Sequence, residues 1–385
     1  MEFALSDEEI MIRDTARRIA GARLAPVATR LDAGEGREEL LANLAALAEN
    51  GFSALNVKAE YGGSEAGTVA FALAIEELGY ACASTAVSTS VTNMVGEVIQ
   101  AVGSDAQKAL HLPRLADGTY PAGSFCLTES GAGSDPSGMK TRARAEGNGW
   151  RLDGEKLYIS SAEYSGLFVV WAVTDPDARP GKGISCFLVE RDTPGLVIGK
   201  AEKKMGQHGS PTNVVHFENC HIPADNIMGR ENDGFRVAVA ELAGGRIGVA
   251  ALSLGIARAA MDAAKSYIKE RRQFGTAIAD MQGPQWMIAD REVDLEASKL
   301  LILSAASLKD QGKPFAKEAS MAKLFASEAA HRCTDTALQL FGGAGYCADY
   351  PVERYARDAR ITRIYEGTSE IQRLIIARET LKAVG

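Results

Sequence analysis

Apolar residues in the first third of the chain recur at helical spacing. Ser6 stands three residues before Glu9 in the pattern of a capping box. Ile10, Ile12, Ala16, Ile19, Ala20 and Leu24 follow, which predicts an amphipathic helix closed by Pro26. Residues 40–49 predict a second helix stopped at Asn50-Gly51, residues 69–78 a third stopped at Gly79, and residues 84–102 a fourth. Between about 121 and 230 the period becomes that of strands. Residues 167–173, 184–189 and 214–217 are β-branched or aromatic runs bounded by Gly, Pro, Asp and Asn, and Asp153-Gly154 within 150–159 predicts a hairpin turn. From about 232 the helical period returns over longer stretches, 232–271 and 283–311, with Pro314 expected in the first turn of a further helix reaching Leu340. Gly244, Gly245, Gly248 and Gly255 interrupt the first of these. Each costs a helix about 1 kcal/mol relative to alanine, which implies close approach of another helix or a ligand.

Helices, then strands, then long helices predict an α+β chain in three zones: an N-terminal α-helical domain (1–120), a central β domain (121–230) and a C-terminal α-helical domain (231–385). There is no βαβ alternation. Gly131-Ala132-Gly133 and Gly342-Gly343-Ala344-Gly345 do not complete a dinucleotide fingerprint between a strand and a helix, so each alone reads as a turn. With 385 residues, 46% hydrophobic and 24% charged, the balance is that of a globular chain. The net charge is 42 − 50 = −8 with no dense basic run, which disfavours nucleic acid and anionic membrane surfaces as partners. No apolar stretch is read as long enough to span a bilayer, and the acidic start lacks a signal-peptide core. Six cysteines are scattered without a CxxC pair, which fits reduced thiols and a cytoplasmic location. His216, Cys220 and His221 are near one another in sequence, but His216 falls in a strand-like run, and no metal site is expected.

Four segments are rich in chemistry. Leu127–Asp135 is a loop of small and hydroxylic residues that lets backbone N–H groups approach a ligand, and beside it Tyr158-Ile159-Ser160-Ser161 offers an aromatic face and two hydroxyls. Glu270-Arg271-Arg272-Gln273-Phe274-Gly275 ends a helix, with Gln282 beyond; its arginines suit a pyrophosphate or simply complement the helix dipole. Gln339-Leu340-Phe341-Gly342-Gly343 exposes backbone. Ile364-Tyr365-Glu366-Gly367-Thr368-Ser369-Glu370 places a carboxylate beside glycine at a loop-to-helix junction, either as a base or as a solvated helix-terminal acid. None of these decides the function singly.

Together they resemble the acyl-CoA dehydrogenases over essentially the whole chain. The stretches CLTESGAGSD (126–135), EKKMGQHGSPT (202–212), GRIGVA (245–250), ERRQFG (270–275), QLFGGAGY (339–346), YPVERYARDARI (350–361) and IYEGTSEIQR (364–373) carry the likeness in the family's order. The resemblance implies an N-terminal helical domain, a central β-sandwich or barrel and a C-terminal four-helix bundle. It implies a homotetramer with one FAD per subunit, dehydrogenating an acyl-CoA to the trans-2-enoyl-CoA and passing electrons to an electron-transfer flavoprotein. By motif match, Phe125, Leu127, Thr128, Ser134, Tyr158, Ile159 and Ser160 would surround the flavin ring. Arg271, Gln273, Phe274, Gln282, Gln339, Gly342 and Gly343 would reach the FAD of a neighbouring subunit, and Thr368 and Glu370 fall where the family contacts its cofactor. Ser134, Leu242, Arg246, Tyr365 and Gly367 match the substrate side. Glu366 matches the catalytic base, its backbone N–H and a ribityl hydroxyl holding the enolate oxygen. Some members carry the base immediately before the arginine matching Arg246, where this chain has Gly245.

Three departures bear on the expectation. Tyr158-Ile159-Ser160-Ser161 replaces a usual Trp-Ile-Thr-Asn, His208 replaces an arginine, and Ala243 replaces an aspartate that helps hold the CoA arm. The last leaves open a carrier-protein thioester, or β-elimination from a substituted acyl-CoA, as alternatives. The absence of Lys and Arg between Cys82 and Gln107 disfavours a dicarboxylic acyl group, whose buried carboxylate would go unpaired. Cys82-Ala83-Ser84-Thr85-Ala86 looks most like short-chain members, so a short or branched acyl chain is expected.

Overall fold

In the computed structural model, which describes residues 4–382, the first capping box is formed: the Ser6 hydroxyl accepts from the Glu9 N–H, and the Glu9 carboxylate accepts from the Ser6 N–H. Helix α1 (Asp7–Ile19) starts there, but Pro26 does not close it. The path continues through a π turn (Ala20–Leu24) and a 3-10 turn (Ala25–Val27), with the proline, which lacks an N–H, in the latter's first positions, and runs on as α2 (Ala28–Asp32). Helix α3 (Arg37–Glu49) stops as expected at Asn50-Gly51, where Gly51 takes φ 79°. Helix α4 (Gly67–Ala81) runs past Gly79 instead of stopping at it. A Cβ at Gly79 would lie 3.0 Å from Leu252 Cδ1, so this glycine serves helix packing and not termination. Helix α5 (Ala83–Val102) is followed by α6 (Asp105–Ala116), which the hydrophobic pattern did not announce although Ser104 and Gln107 form a second capping box.

Eight strands make one sheet: β1 (Gly123–Cys126), β2 (Arg142–Glu146), β3 (Gly149–Ser160), β4 (Leu167–Val173), β5 (Ile184–Glu190), β6 (Leu196–Ala201), β7 (Thr212–Pro223) and β8 (Ile227–Met228). Their order is β6-β7-β3-β2-β4-β5-β8, with β1 parallel to β4. Asp153-Gly154 is not the hairpin turn. Strand β3 passes straight through it with a break in register against β7, and Gly154, at φ 144°, lets Thr141 come within 2.7 Å of where a Cβ would sit. The turn lies earlier, at Gly147-Asn148 between β2 and β3. Along β4, Leu167, Val169 and Trp171 pack on Val95, Val98 and Leu112 of the helices. Phe168, Val170 and Ala172 pack on Leu152, Phe217 and Ile222 of the same sheet, so the sandwich interior comes from one sheet curling over itself.

The C-terminal zone comprises α7 (Gly234–Glu270), a hairpin of β9 (Arg272–Gln273) and β10 (Thr276–Ala277), α8 (Gln282–Asp310), α9 (Ala316–Phe341), α10 (Val352–Arg360) and α11 (Ser369–Lys382). Pro314 lies just before α9 and not in its first turn. Helix α7 corrects one expectation: an 18-residue window in it has mean hydropathy 1.5, enough to cross a membrane by length and composition. Since 83% of that window is buried inside the protein, α7 is the core helix around which α4, α5, α8 and α9 pack. Its glycines let them close in. A Cβ at Gly248 would stand 2.5 Å from Ser90 Oγ, and one at Gly255 would stand 2.7 Å from the Tyr80 backbone nitrogen.

The two ends of this glycine series should respond unequally to alanine. Gly255→Ala forces α4 backbone away from α7, and thermal unfolding should show a loss of about 3 kcal/mol. Gly244→Ala meets the end of the Lys309 side chain, at 2.9 Å, and Glu97 Oε2, at 3.6 Å; both are side-chain ends that can give way, and the gain in helix propensity should keep stability within about 1 kcal/mol of the parent. Equal effects at both positions would contradict this packing.

Candidate active site

A cleft of about 1290 Å³ opens where the β domain meets α5, α7 and the segment leading into α11. That exceeds the roughly 300–1,000 Å³ of an ordinary small-molecule pocket and leaves room for two ligands side by side. Phe125, Leu127, Thr128, Ser134, Tyr158, Ile159, Ser160, Leu242, Arg246, Tyr365, Glu366, Gly367 and Thr368 all line it. Glu370 does not; it is exposed on the first turn of α11.

Arg271, Gln273, Phe274, Gln282, Gln339, Gly342 and Gly343 are also off the cleft, and all are exposed. They gather where the end of α7, the start of α8 and the end of α9 pack through Ile268, Met287 and Phe341. From Gly245 to the end of α7 the helix advances roughly 37 Å at 1.5 Å per residue, so this group cannot touch a ligand held beside Glu366 of the same chain. Phe274, at φ 52°, is 98% exposed.

The wall carrying Tyr158 is shaped by a bulge. The pairing of β3 with β7 shifts register between Lys156 and Ile159, Tyr158 takes φ 58°, and its ring is turned out into the cleft, 64% exposed. The Leu157 N–H donates to the Thr128 carbonyl at 2.8 Å, joining this strand to the loop 127–135. Beneath them Lys156 is fully buried. Its Nζ donates to Glu129 Oε1 at 2.7 Å and to the Leu127 carbonyl at 3.1 Å, while Glu129 also accepts from the Lys140 and Thr141 N–H groups. Burial works against ionised Glu129, but the Lys156 ammonium outweighs it and holds the carboxyl below its usual range. Sequence reasoning found the loop and the strand but missed the buried ion pair that holds them together.

Glu366 faces this wall from a left-handed turn, at φ 55°, with Gly367 following at φ 90°. A non-glycine residue in that conformation costs about 1 kcal/mol or more and persists only when its surroundings impose it. Here the fully buried Gln372 donates from Nε2 to the carbonyls of Glu366 (3.2 Å) and Gly367 (2.8 Å), and the fully buried Lys323 of α9 donates to Gly367 O at 2.7 Å. Glu366 Oε2 is out of solvent and, among the described residues, without a hydrogen-bond partner. It lies 3.0 Å from where a Cβ of Gly245 would be, so the glycine on α7 both removes a rival carboxylate position and makes room for this one. Burial pushes the Glu366 pKa up to about 7 against the opposing pull of Arg246 and Lys323.

Another acid stands one turn earlier on α7. Burial raises Glu241 well above the carboxylate range, with Glu97 adding to the effect and Lys309 opposing it. Lys309 comes from α8 and pairs with Glu97. A cation absent from residues 82–107 is thus supplied by α8, where it is already engaged by carboxylates. His208 also finds an account: its ring nitrogens lie 2.7 Å from the carbonyls of Asp32 and Lys204, linking α2 to the β domain.

FAD fits this cleft. Phe125, Leu127 and Ile159 give an apolar bed, Tyr158 an exposed aromatic face, and Thr128 and Ser160 hydroxyls at its edge, all on the cleft shared with the orphaned carboxylate of Glu366. Cations that suit phosphates line the cleft as well, among them Lys203, Arg246, Arg360 and Arg378, whereas Arg271 lies in the remote exposed cluster.

Comparison with known proteins matches residues 6–119 to the acyl-CoA dehydrogenase N-terminal domain, 124–220 to the middle domain and 232–381 to the C-terminal domain. The acryloyl-CoA reductase (NADH) of Anaerotignum propionicum is 44% identical over 386 aligned residues, covering 99% of this chain and 96% of that protein. A chain in the solved electron transferring flavoprotein structure from Acidaminococcus fermentans superposes with a TM-score of 0.96 at 40% identity, covering 99% of this chain and 100% of that one. Butyryl-CoA dehydrogenase from Megasphaera elsdenii gives 0.95 at 38% identity with the same coverage.

Two stability measurements test the site. The native pKa of Glu366 lies above its ordinary value, so the folded state binds this proton more tightly and loses stability as pH rises from about 4.5 to about 7. Glu366→Gln should therefore stabilise the protein at pH 8, by on the order of 3 kcal/mol, and hardly at pH 5; denaturant unfolding at both values checks this. Lys156→Met strands Glu129 and should lower stability by about 3 kcal/mol while weakening FAD retention, read from melting and from the bound-flavin ratio.

Proposed function

The chain belongs to the acyl-CoA dehydrogenase family, FAD-dependent oxidoreductases that act on the α,β bond of acyl-CoA thioesters, and on that premise we propose short acyl groups as its substrates and Glu366 as its base. The observation that carries the base assignment is the Glu366 carboxylate: buried, without a partner at Oε2, and facing the cleft wall of Tyr158. When bound, FAD supplies the acceptor for the hydride leaving the β-carbon. Glu366 takes the α-proton at Oε2, and its pKa near 7 makes it a stronger base than an ordinary carboxylate while leaving much of it ionised at neutral pH. Its backbone N–H polarises the thioester carbonyl, and Arg246 and Ser134 hold the CoA side.

A short chain is supported by the seam between α5 and α7. At Gly245 the Met94 sulfur stands 3.0 Å from a would-be Cβ, so Met94, which lines the cleft, sits tight against α7 beside Glu366. The names of the similar butyryl-CoA dehydrogenase and acryloyl-CoA reductase agree with a short acyl group. We further propose an electron-transfer flavoprotein as the acceptor, on the likeness to the Acidaminococcus fermentans chain, and a homotetramer. The assembly is supported by the remote FAD-suited cluster and by exposed Trp286, Val293 and Leu300, seven residues apart on α8. Six free thiols fit a cytoplasmic enzyme of carboxylic acid degradation. Ala243 is buried and leaves no carboxylate to hold the CoA arm, which favours a carrier-protein thioester as the second reading.

Anaerobic titration with short, branched and aromatic acyl-CoAs should bleach the flavin absorbance with short chains and leave it unchanged with the Glu366→Gln variant. Base activity is present above about pH 7 and lost as pH falls, so kcat/KM should drop about tenfold per unit below it. A flavin that responds only to an acyl carrier-protein thioester would establish the second reading.

A further inference from the structure

Lys323 is a lysine on the buried face of α9, fully shielded from solvent among small residues, and no part of the family resemblance gives it a role. Its Nζ donates to the carbonyl of Gly367, the residue after Glu366, at 2.7 Å. That carbonyl belongs to the second of two consecutive left-handed residues. Gln372 reaches the same oxygen from α11, so an ammonium and an amide together fix the peptide that aims the carboxylate.

One turn earlier on α9, Ser320 lies 3.5 Å from the Arg246 guanidinium, so a single helix braces both the loop of the carboxylate and the arginine beside it. The charged and titratable groups around the carboxylate are Arg246 and Glu241 from α7, Lys323 from α9 and Tyr365 beside it in the chain. Around Lys323 they are Glu366, Arg246, Glu328 and Glu370.

We propose that Lys323 is a positioning residue for proton abstraction, locking the turn that presents Glu366 through the Gly367 carbonyl and standing as a counter-charge to the ionised carboxylate. This rests on Glu366 being the base. A counter-charge has a signature that a purely structural lysine lacks: removing it makes Glu366 harder to ionise, so activity must be lost at higher pH than in the parent. Burial draws the Lys323 pKa down to about 7 and Glu366 pulls it back up, so the two groups bias each other across the range where the enzyme works.

The test is the rate of flavin reduction by a short acyl-CoA, measured from pH 5.5 to 9 on the holoenzyme of Lys323→Met and Lys323→Gln, with FAD content and melting temperature recorded alongside. Lys323→Met should move the acid limb up by about one pH unit and lower the limiting rate about tenfold, with substrate Kd changed less than about threefold. Lys323→Gln keeps a donor without the charge; it should recover part of the rate while its acid limb stays displaced. It also covers the case in which the Met variant does not fold. An acid limb at the parent position in the folded variants overturns the proposal even if stability falls. A fully active Glu366→Gln control would instead overturn the base assignment and this inference with it.

Discussion

Helix α7 is bare where other parts of the chain must reach it. At Gly245 the missing side chain admits the carboxylate of Glu366 and the Met94 thioether; at Gly248 it admits Ser90 and Phe71; at Gly255 it admits α4, which carries its own glycine at the facing position. Intrinsic helix propensity argues against each of these residues, and the cost is accepted because the alternative is a wider seam in which no carboxylate is desolvated. The raised basicity of Glu366 and the close packing of α4 and α5 on the bundle both follow from that one bare face.

The charges around the site are distributed rather than paired off. Glu366 has cations on two sides, Arg246 and Lys323, yet no ion pair consumes its Oε2. A tight salt bridge would hold the carboxylate ionised and make it a weak base; complete isolation would leave it protonated. Farther along the same helix face burial raises Glu241 well above the carboxylate range beside the Glu97–Lys309 pair, with Glu97 adding to the effect and Lys309 opposing it.

The order of the three zones was legible in the chain because period is a local property: strand runs such as 167–173 and the α7 glycines read correctly, and the motif around Glu366 located the cleft. Punctuation was less reliable. Pro26, Gly79 and Asp153-Gly154 each look like a stop or a turn, and each is overridden by the fold: a 3-10 turn absorbs the proline, a neighbouring helix occupies the space at the glycine, and a bulge replaces the hairpin. The residues missed were of one kind. Lys156, Lys323 and Glu241 are charges whose partners are distant in sequence, and only the fold makes those partners neighbours. Lys323 did leave a trace, since it follows Ala319 by four residues on the small-residue stripe that α9 buries.

Glu366 lines a cleft still open to water, with its pKa pushed up by burial to about 7, while Lys323, drawn down to about 7, is buried behind the turn and off the cleft. An acyl chain that displaces this water changes the solvation of Glu366 and, through its charge, the field at Lys323, and the pair answers by taking up or releasing a fraction of a proton. Ligand association is therefore coupled to exchange with the solution. The heat of association will depend on the ionisation enthalpy of the surrounding buffer, and the apparent affinity will slope with pH even for a thioester that itself carries no titrating group near pH 7.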